Sequence, residues 1–190
     1  MSELTDRQVV EAVLSGDADA YRILVDRYQQ RVYRSLCWMC GSSADAEELT
    51  QETFVRAYYA LASHKTEYKS STWLLQIARN QCINFMKRRD REMPYEADRP
   101  PASGTFVNCS APAQPVEQAE RVEHARRLWL AVAELPPDFR DIVVMRHVSE
   151  MSYTEICDVT GLPMGTVKSR LARARRRLLE ALSKELEPSI

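Results

Sequence analysis

Apolar residues recur along most of this chain at steps of three and four, the spacing of a helix with one buried face, and no strong alternating runs of Val, Ile or Thr interrupt them. Thr5 and Gln8 have the spacing of a capping box and open a short helix carrying Val9, Val10, Val13 and Leu14, closed by Gly16. Asp17 can cap a second helix, in which Tyr21, Leu24, Val25, Tyr28, Val32, Leu36 and Met39 recur until Gly41. A third helix follows Ser43. Ala46, Leu49, Thr53, Phe54, Ala57, Tyr58 and Leu61 lie on one arc, and Glu48, Gln51, Glu52, Val55, Arg56 and Tyr59 on the other. The spacing predicts a fourth helix over 72–89, with Leu74, Ile77, Ala78 and Phe85 inward and Trp73, Gln76, Asn80, Asn84 and Lys87 outward.

The periodicity stops at residue 93. Residues 93–118 hold five of the nine prolines and read as a flexible linker. Helical spacing resumes near Glu120, through Val122, Ala125, Leu128, Trp129 and Val132, and breaks at Leu135-Pro136-Pro137. Asp138 can start the next helix, carrying Ile142, Val143, Met145 and Val148. Ser152 and Glu155 form a second capping box before Ile156 and Val159, and Gly161-Leu162-Pro163 turns the chain, with Pro163 suited to the first position of the last helix. The expected fold is all-α: two small helical domains, 1–92 and 119–190, joined by the Pro-rich linker 93–118.

Charge sharpens this picture through its distribution. The 26 basic and 27 acidic residues nearly cancel. Yet residues 160–179 carry one Lys and five Arg with no acid, residues 79–91 carry a local +4, and residues 44–52 carry four acids with no base. Blocks of opposite sign imply separate surfaces with separate partners. In the last helix Val167, Leu171, Ala174 and Leu178 make one narrow apolar stripe, and Gly165, Ser169, Ala172, Arg173 and Arg176 lie opposite it, flanked by Thr166, Lys168 and Arg170. A capped short helix, a tight turn and a basic second helix make a helix-turn-helix, whose second helix enters the DNA major groove. Small residues at 165, 169 and 172 allow close approach. Lys168, Ser169, Arg170 and Arg173 are then candidates for reading bases, and Arg175, Arg176 and Arg177 for holding phosphates.

LPPDFRDIVVMRHVSEMSYTEICDVTGLPMGTVKSRLARARRRL resembles region four of the extracytoplasmic-function (ECF) sigma factors of bacterial RNA polymerase, with GTVKSRLARAR its most specific string. DADAYRILVDRYQQRVYR, DAEELTQETFVRAYYAL and STWLLQIARNQCINFMKRR are similar, in order, to the segments of region two. The resemblance implies a promoter-specificity subunit with no catalytic activity and no small-molecule substrate or cofactor. It implies that Glu48, Gln51, Glu52 and Arg56 dock on the polymerase core. It also implies that residues 65–89 open and read the −10 element, with Lys65, Tyr68, Trp73, Asn80, Lys87, Arg88 and Arg89 as candidates. The α-helical domain at 119–190 would read the −35 element. Expected partners are polymerase core, promoter DNA and an inhibitory anti-sigma protein, soluble or membrane-bound. Ala172 stands where related proteins often carry a larger side chain, so promoter preference does not carry over.

The first residues, MSELTDRQ, are polar, and no apolar run is long enough to span a bilayer, which points to the cytoplasm. Five cysteines there would be reduced, and an odd number argues against a disulfide framework. Cys37-Trp38-Met39-Cys40 is nonetheless a CxxC. Zinc needs about four ligands, and no partner spacing supplies the rest, so no metal site is expected. Packed thiols and a thiol or metal sensor remain the alternatives.

Overall fold

The computed structural model describes residues 4–64, 69–92 and 118–186, and every regular element among them is helical. The helices are α1 (Asp6–Leu14), α2 (Tyr21–Cys40), α3 (Ser43–Ala60), α4 (Ser70–Glu92), α5 (Gln118–Ala133), α6 (Pro137–His147), α7 (Tyr153–Thr160) and α8 (Met164–Leu186), with single 3₁₀ turns at 18–20 and 61–63. The all-α architecture is as expected from the spacing. The linker 93–117, together with Lys65 and Tyr68, lies outside the described residues.

In the N-terminal module, α2, α3 and α4 pack on one another, and Leu36, Ala46, Ala57 and Leu74 are almost wholly enclosed. Buried Thr50 and Thr53 return their hydroxyls to the carbonyls of Ala46 and Leu49, so neither leaves an unmet donor. The α1 helix begins with the expected capping box and buries Val9 and Val10 beside Leu24 and Leu61. Leu14 stays 55% exposed, whereas Ala12 and Val13 pack against that cluster. Asp6 anchors the helix, accepting from Arg27 Nη1 at 2.8 Å and from the Tyr28 hydroxyl.

In the C-terminal module, Ile142, Val144, Ile156 and Val167 form the centre, with Val132, Leu135, Val143 and Ala174 beneath α8. Several boundaries differ from expectation, among them those of α4, which runs Ser70–Glu92 rather than 72–89. Pro137, not Asp138, is the first residue of α6, where its missing N–H costs nothing. Pro163 precedes α8, its carbonyl accepting from the N–H groups of Thr166 and Val167. Ser42 rather than Ser43 caps α3, accepting from Asp45 N–H at 3.2 Å.

The two modules are docked, and the contact runs along α2 and α4. Apolar side chains from both join one cluster, which holds Cys40 and Leu75 from the first module and Met145 and Met151 from the second. Gly41, at φ +76 at the end of α2, faces the Trp129 ring of α5. Polar groups are matched across the seam. Arg31 Nε donates to Ser149 O at 3.0 Å, the Ser35 and Ser149 hydroxyls are 2.6 Å apart, and Arg140 Nη1 donates to Met39 O at 3.4 Å. One contact of the seam is ionic: Arg79 of α4 holds Asp141 of α6 through Nε and Nη2, both at 2.7 Å from Oδ2.

Burial pushes the Asp141 carboxyl up, and Arg79 opposes that shift. Arg79→Ala should therefore cost about 1.5–3 kcal/mol in urea unfolding at neutral pH, the range for a hydrogen bond to a charged group. A carboxyl raised in the folded state binds its proton more tightly there, so acid favours folding. Without Arg79 that rise is larger, and the deficit of the variant should shrink in mildly acid buffer.

Candidate nucleic-acid interface

The helix-turn-helix is built as its punctuation predicts. Ser152 caps α7 by accepting from Glu155 N–H at 3.2 Å, while Glu155 Oε2 accepts from Ser152 N–H at 2.8 Å. Gly161, at φ +70, takes the left-handed conformation that ends α7, where a side chain would be strained. On α8, Val167 and Ala174 are fully buried, and Leu171 and Leu178 are half-buried beside them.

The eight residues singled out on this helix divide. Lys168, Ser169, Arg173, Arg175, Arg176 and Arg177 are exposed, with Gly165 and Ala172 among them, and Thr166 is half-buried at the edge. Arg170 is instead drawn down to Asp138 at 3.1 Å, and the Arg177 guanidinium lies over the Phe139 ring at 5.4 Å. Both lie on the flank that meets α6. Arg176 also reaches Glu180 at 3.8 Å, in an exposed pair.

On α3, Glu48 and Gln51 are exposed, and Glu52 pairs with Arg56 one turn on. Val55 is 55% and Tyr59 82% exposed on the same arc. Large apolar side chains left open among charges are the composition of an interface core with a polar rim.

The basic face of α4 is less open than its sequence suggests. Asn80, Lys87 and Arg88 are exposed, whereas Arg89 is half-buried, 3.7 Å from Asp45. Both arginines lie 5.9 Å from the Phe85 ring. Trp73, predicted outward, is half-buried: its ring stacks on His64 at 4.5 Å and 20°, so one aromatic face is already occupied. The pair forms part of the wall of a cavity of about 380 Å³, closed on its far side by Asp158 and Val159 of α7. Sequence reasoning passed over His64, because stacking across a loop leaves no periodic trace.

It also passed over the second role of Glu155. Besides capping α7, this carboxylate accepts from the Thr72 hydroxyl at 3.1 Å and pairs with Lys69 Nζ at 3.2 Å, both at the start of α4. Burial pushes its pKa up, but donors from Ser152, Lys69 and Thr72 outweigh that and hold it at about 2. The capping box marked Glu155, yet nothing local announces a partner eighty residues away.

These surfaces define a two-module helical protein whose second module carries a helix-turn-helix. The sigma-70 region 2 model matches residues 24–92, and the sigma-70 region 4 model residues 125–178. The ECF RNA polymerase sigma factor SigW of Bacillus subtilis is 30% identical over 97% of this chain and 98% of its own. The ECF RNA polymerase sigma-E factor of Escherichia coli K12 is 35% identical over 100% of this chain and 99% of its own. The chain belongs to the ECF sigma factors. Two solved structures share the fold. The sigma factor RpoE of Bartonella quintana, seen with the anti-sigma factor NepR, has a TM-score of 0.68 at 24% identity, covering 86% of this chain and 96% of that one. CnrH, seen with the cytosolic domain of CnrY, has a TM-score of 0.68 at 22% identity, covering 94% and 97%.

A carboxyl held low contributes stability above its ordinary value of about 4.5, and loses it as pH falls toward 2. Melting temperature followed by circular dichroism should fall across that window. Glu155→Gln should remove this component of the fall and lower the melting temperature at neutral pH.

Proposed function

We infer that this sigma factor meets promoter DNA on two surfaces, with α8 in the major groove of the −35 element and α4 on the opened −10 element. As an ECF sigma factor it binds RNA polymerase core, directs promoter-specific initiation, and answers to an anti-sigma factor. It acts in the cytoplasm as a binding subunit without a reaction of its own; among the described residues no helix is long and apolar enough to cross a membrane. Region two corresponds to 1–92, the linker to 93–118 and region four to 119–190.

The observation that carries this reading is the outer face of α8. Lys168, Arg173, Arg175 and Arg176 stand exposed beside the small residues Gly165, Ser169 and Ala172, on the second helix of a helix-turn-helix. Close approach is possible there, and nothing acidic opposes it before Glu180. The α3 arc of Glu48, Gln51, Glu52, Val55, Arg56 and Tyr59 is the docking surface for the polymerase core.

On α4, Asn80, Lys87, Arg88 and Arg89 supply polar and cationic contacts for a separated strand, with Lys65 and Tyr68 from the sequence just before it. Stacking on an aromatic ring is worth about 1–3 kcal/mol per base. The His64–Trp73 wall offers such a ring at its edge, in a cavity large enough for a base. Asp158 and Val159 stand against that cavity, so region four has to swing off α4 before a strand can enter. Thr72, buried against Glu155 in the docked arrangement, becomes available in the same movement.

Run-off transcription with purified core polymerase tests the reading: promoter-specific transcripts should appear only when this chain is added. Their absence, or specific DNA binding by the chain alone with no effect on core, would favour a stand-alone regulator. Arg173→Ala should cost about 1–3 kcal/mol of −35 binding and relax base preference at one position. Arg175→Ala should weaken binding evenly across sequences and shrink a log-log salt slope near −3 by about 1.

A further inference from the structure

Region four covers the start of α4 with acids. Glu155 and Asp158 are three residues apart on α7, so they share one face, with about 5–6 Å between their Cβ atoms. Glu155 Oε1 accepts from the Thr72 hydroxyl at 3.1 Å and pairs with Lys69 Nζ at 3.2 Å, while Asp158 lines the cavity walled by His64 and Trp73. Two negative charges in a row thus lie along a surface of hydroxyls, a cation and an aromatic ring. The successive phosphates of a DNA strand would meet that surface in the same way.

The contact occupies this surface without completing it. A cavity of about 380 Å³ remains between the modules, bordered by Ser63, Thr72, Trp73 and Gln76 on one side and by Asp158 and Val159 on the other. His64, in its wall, is 9% exposed, and its buried Nδ1 has no hydrogen-bond partner among the described residues. Native packing ordinarily satisfies such a group. Ser70, Ser71 and Thr72 beside it are 4%, 8% and 6% exposed, so the part of region two that α7 covers is polar as well as incompletely filled. In the same docked arrangement Lys168, Arg173, Arg175 and Arg176 of α8 stay exposed, as do Glu48, Gln51, Val55 and Tyr59 of α3. The covering is selective.

We propose, on the reading of α4 as the −10 surface, that Glu155 and Asp158 make α7 a mimic of strand phosphates, an autoinhibitory plug that closes α4 to single-stranded DNA while leaving α8 and the α3 arc open. Lys69 and Thr72 are then strand contacts held in reserve, passing from Glu155 Oε1 to a phosphate when region four leaves. Glu155 keeps its cap through that exchange, because the oxygen that accepts from Ser152 N–H is Oε2. The helix-turn-helix therefore stays intact as the plug is withdrawn. Strand and α7 compete for one surface, so each weakens the hold of the other to the same extent. A mostly closed chain binds a strand with its intrinsic affinity reduced by the open fraction.

The test uses the full chain, a short fluorescein-labelled DNA strand of mixed sequence and the duplex of that sequence. Binding is followed by anisotropy, and the radius of gyration by small-angle X-ray scattering. Glu155→Gln combined with Asp158→Asn removes both charges, and Gln at 155 preserves the capping box. This double variant should expand and bind the strand about tenfold tighter, the gain from a tenfold rise in open fraction, with duplex binding little changed. In the unsubstituted chain, saturating strand should itself raise the radius of gyration, a readout that needs no variant to fold. Strand binding without that expansion overturns the proposal. So does an equal gain for strand and duplex, which marks simple loss of negative charge. A double variant that gains no strand affinity, expanded or compact, overturns the plug alone if Arg88→Ala, on the exposed edge of α4, still weakens the strand. Strand binding indifferent to both Arg88→Ala and Lys87→Ala removes α4 as the surface, and the reading of the −10 face falls with the proposal.

Discussion

One helix has to serve three neighbours. The inward face of α4 closes the region-two core through Leu74, Leu75, Ala78 and Cys82. Another face receives region four through Thr72 and Arg79, and what remains carries the exposed cations Lys87 and Arg88. A helix buried on most of its circumference cannot carry charge freely, so each charge is placed. Arg79 is spent on Asp141, Arg89 reaches Asp45, and Lys87 and Arg88 stay at the solvent edge. The docked state depends on this division, since an unpaired Asp141 at that depth would oppose closure.

The seam therefore has the chemistry of a contact that can be left. Its apolar part is continuous with the cores of both modules, yet its hydrogen bonds run between groups that water can satisfy equally well: serine hydroxyls, a carbonyl, an arginine and a carboxylate. Interfaces between domains of one chain are commonly of this mixed kind, and relative motion is their ordinary behaviour.

Helices, caps and the helix-turn-helix were legible because they are local: Thr5 with Gln8, Ser152 with Glu155, and the glycines at 41 and 161 act within a few residues of themselves. The outward arc of α3 was legible for the same reason, as were the exposed cations of α8. What stayed hidden is long-range. Arg170 looked like its neighbours on a helical wheel, and only the nearness of Asp138 removes it from the outer face. Trp73 sat at the edge of an apolar arc, and His64, from outside that helix, decided its orientation. Patterns within one helix specify its faces; which neighbour meets each face is set by the packing of the whole.

All three tryptophans of the chain lie along the seam. Trp38 packs against the cluster under α8, Trp129 stands over Gly41 at 4% exposure, and Trp73 faces α7 across its cavity with His64 at its back. Their indole environments are therefore set by whether the modules touch. The protein carries its own optical gauge of that state: parting the modules would hydrate the rings together and move their emission to longer wavelength, with no label attached.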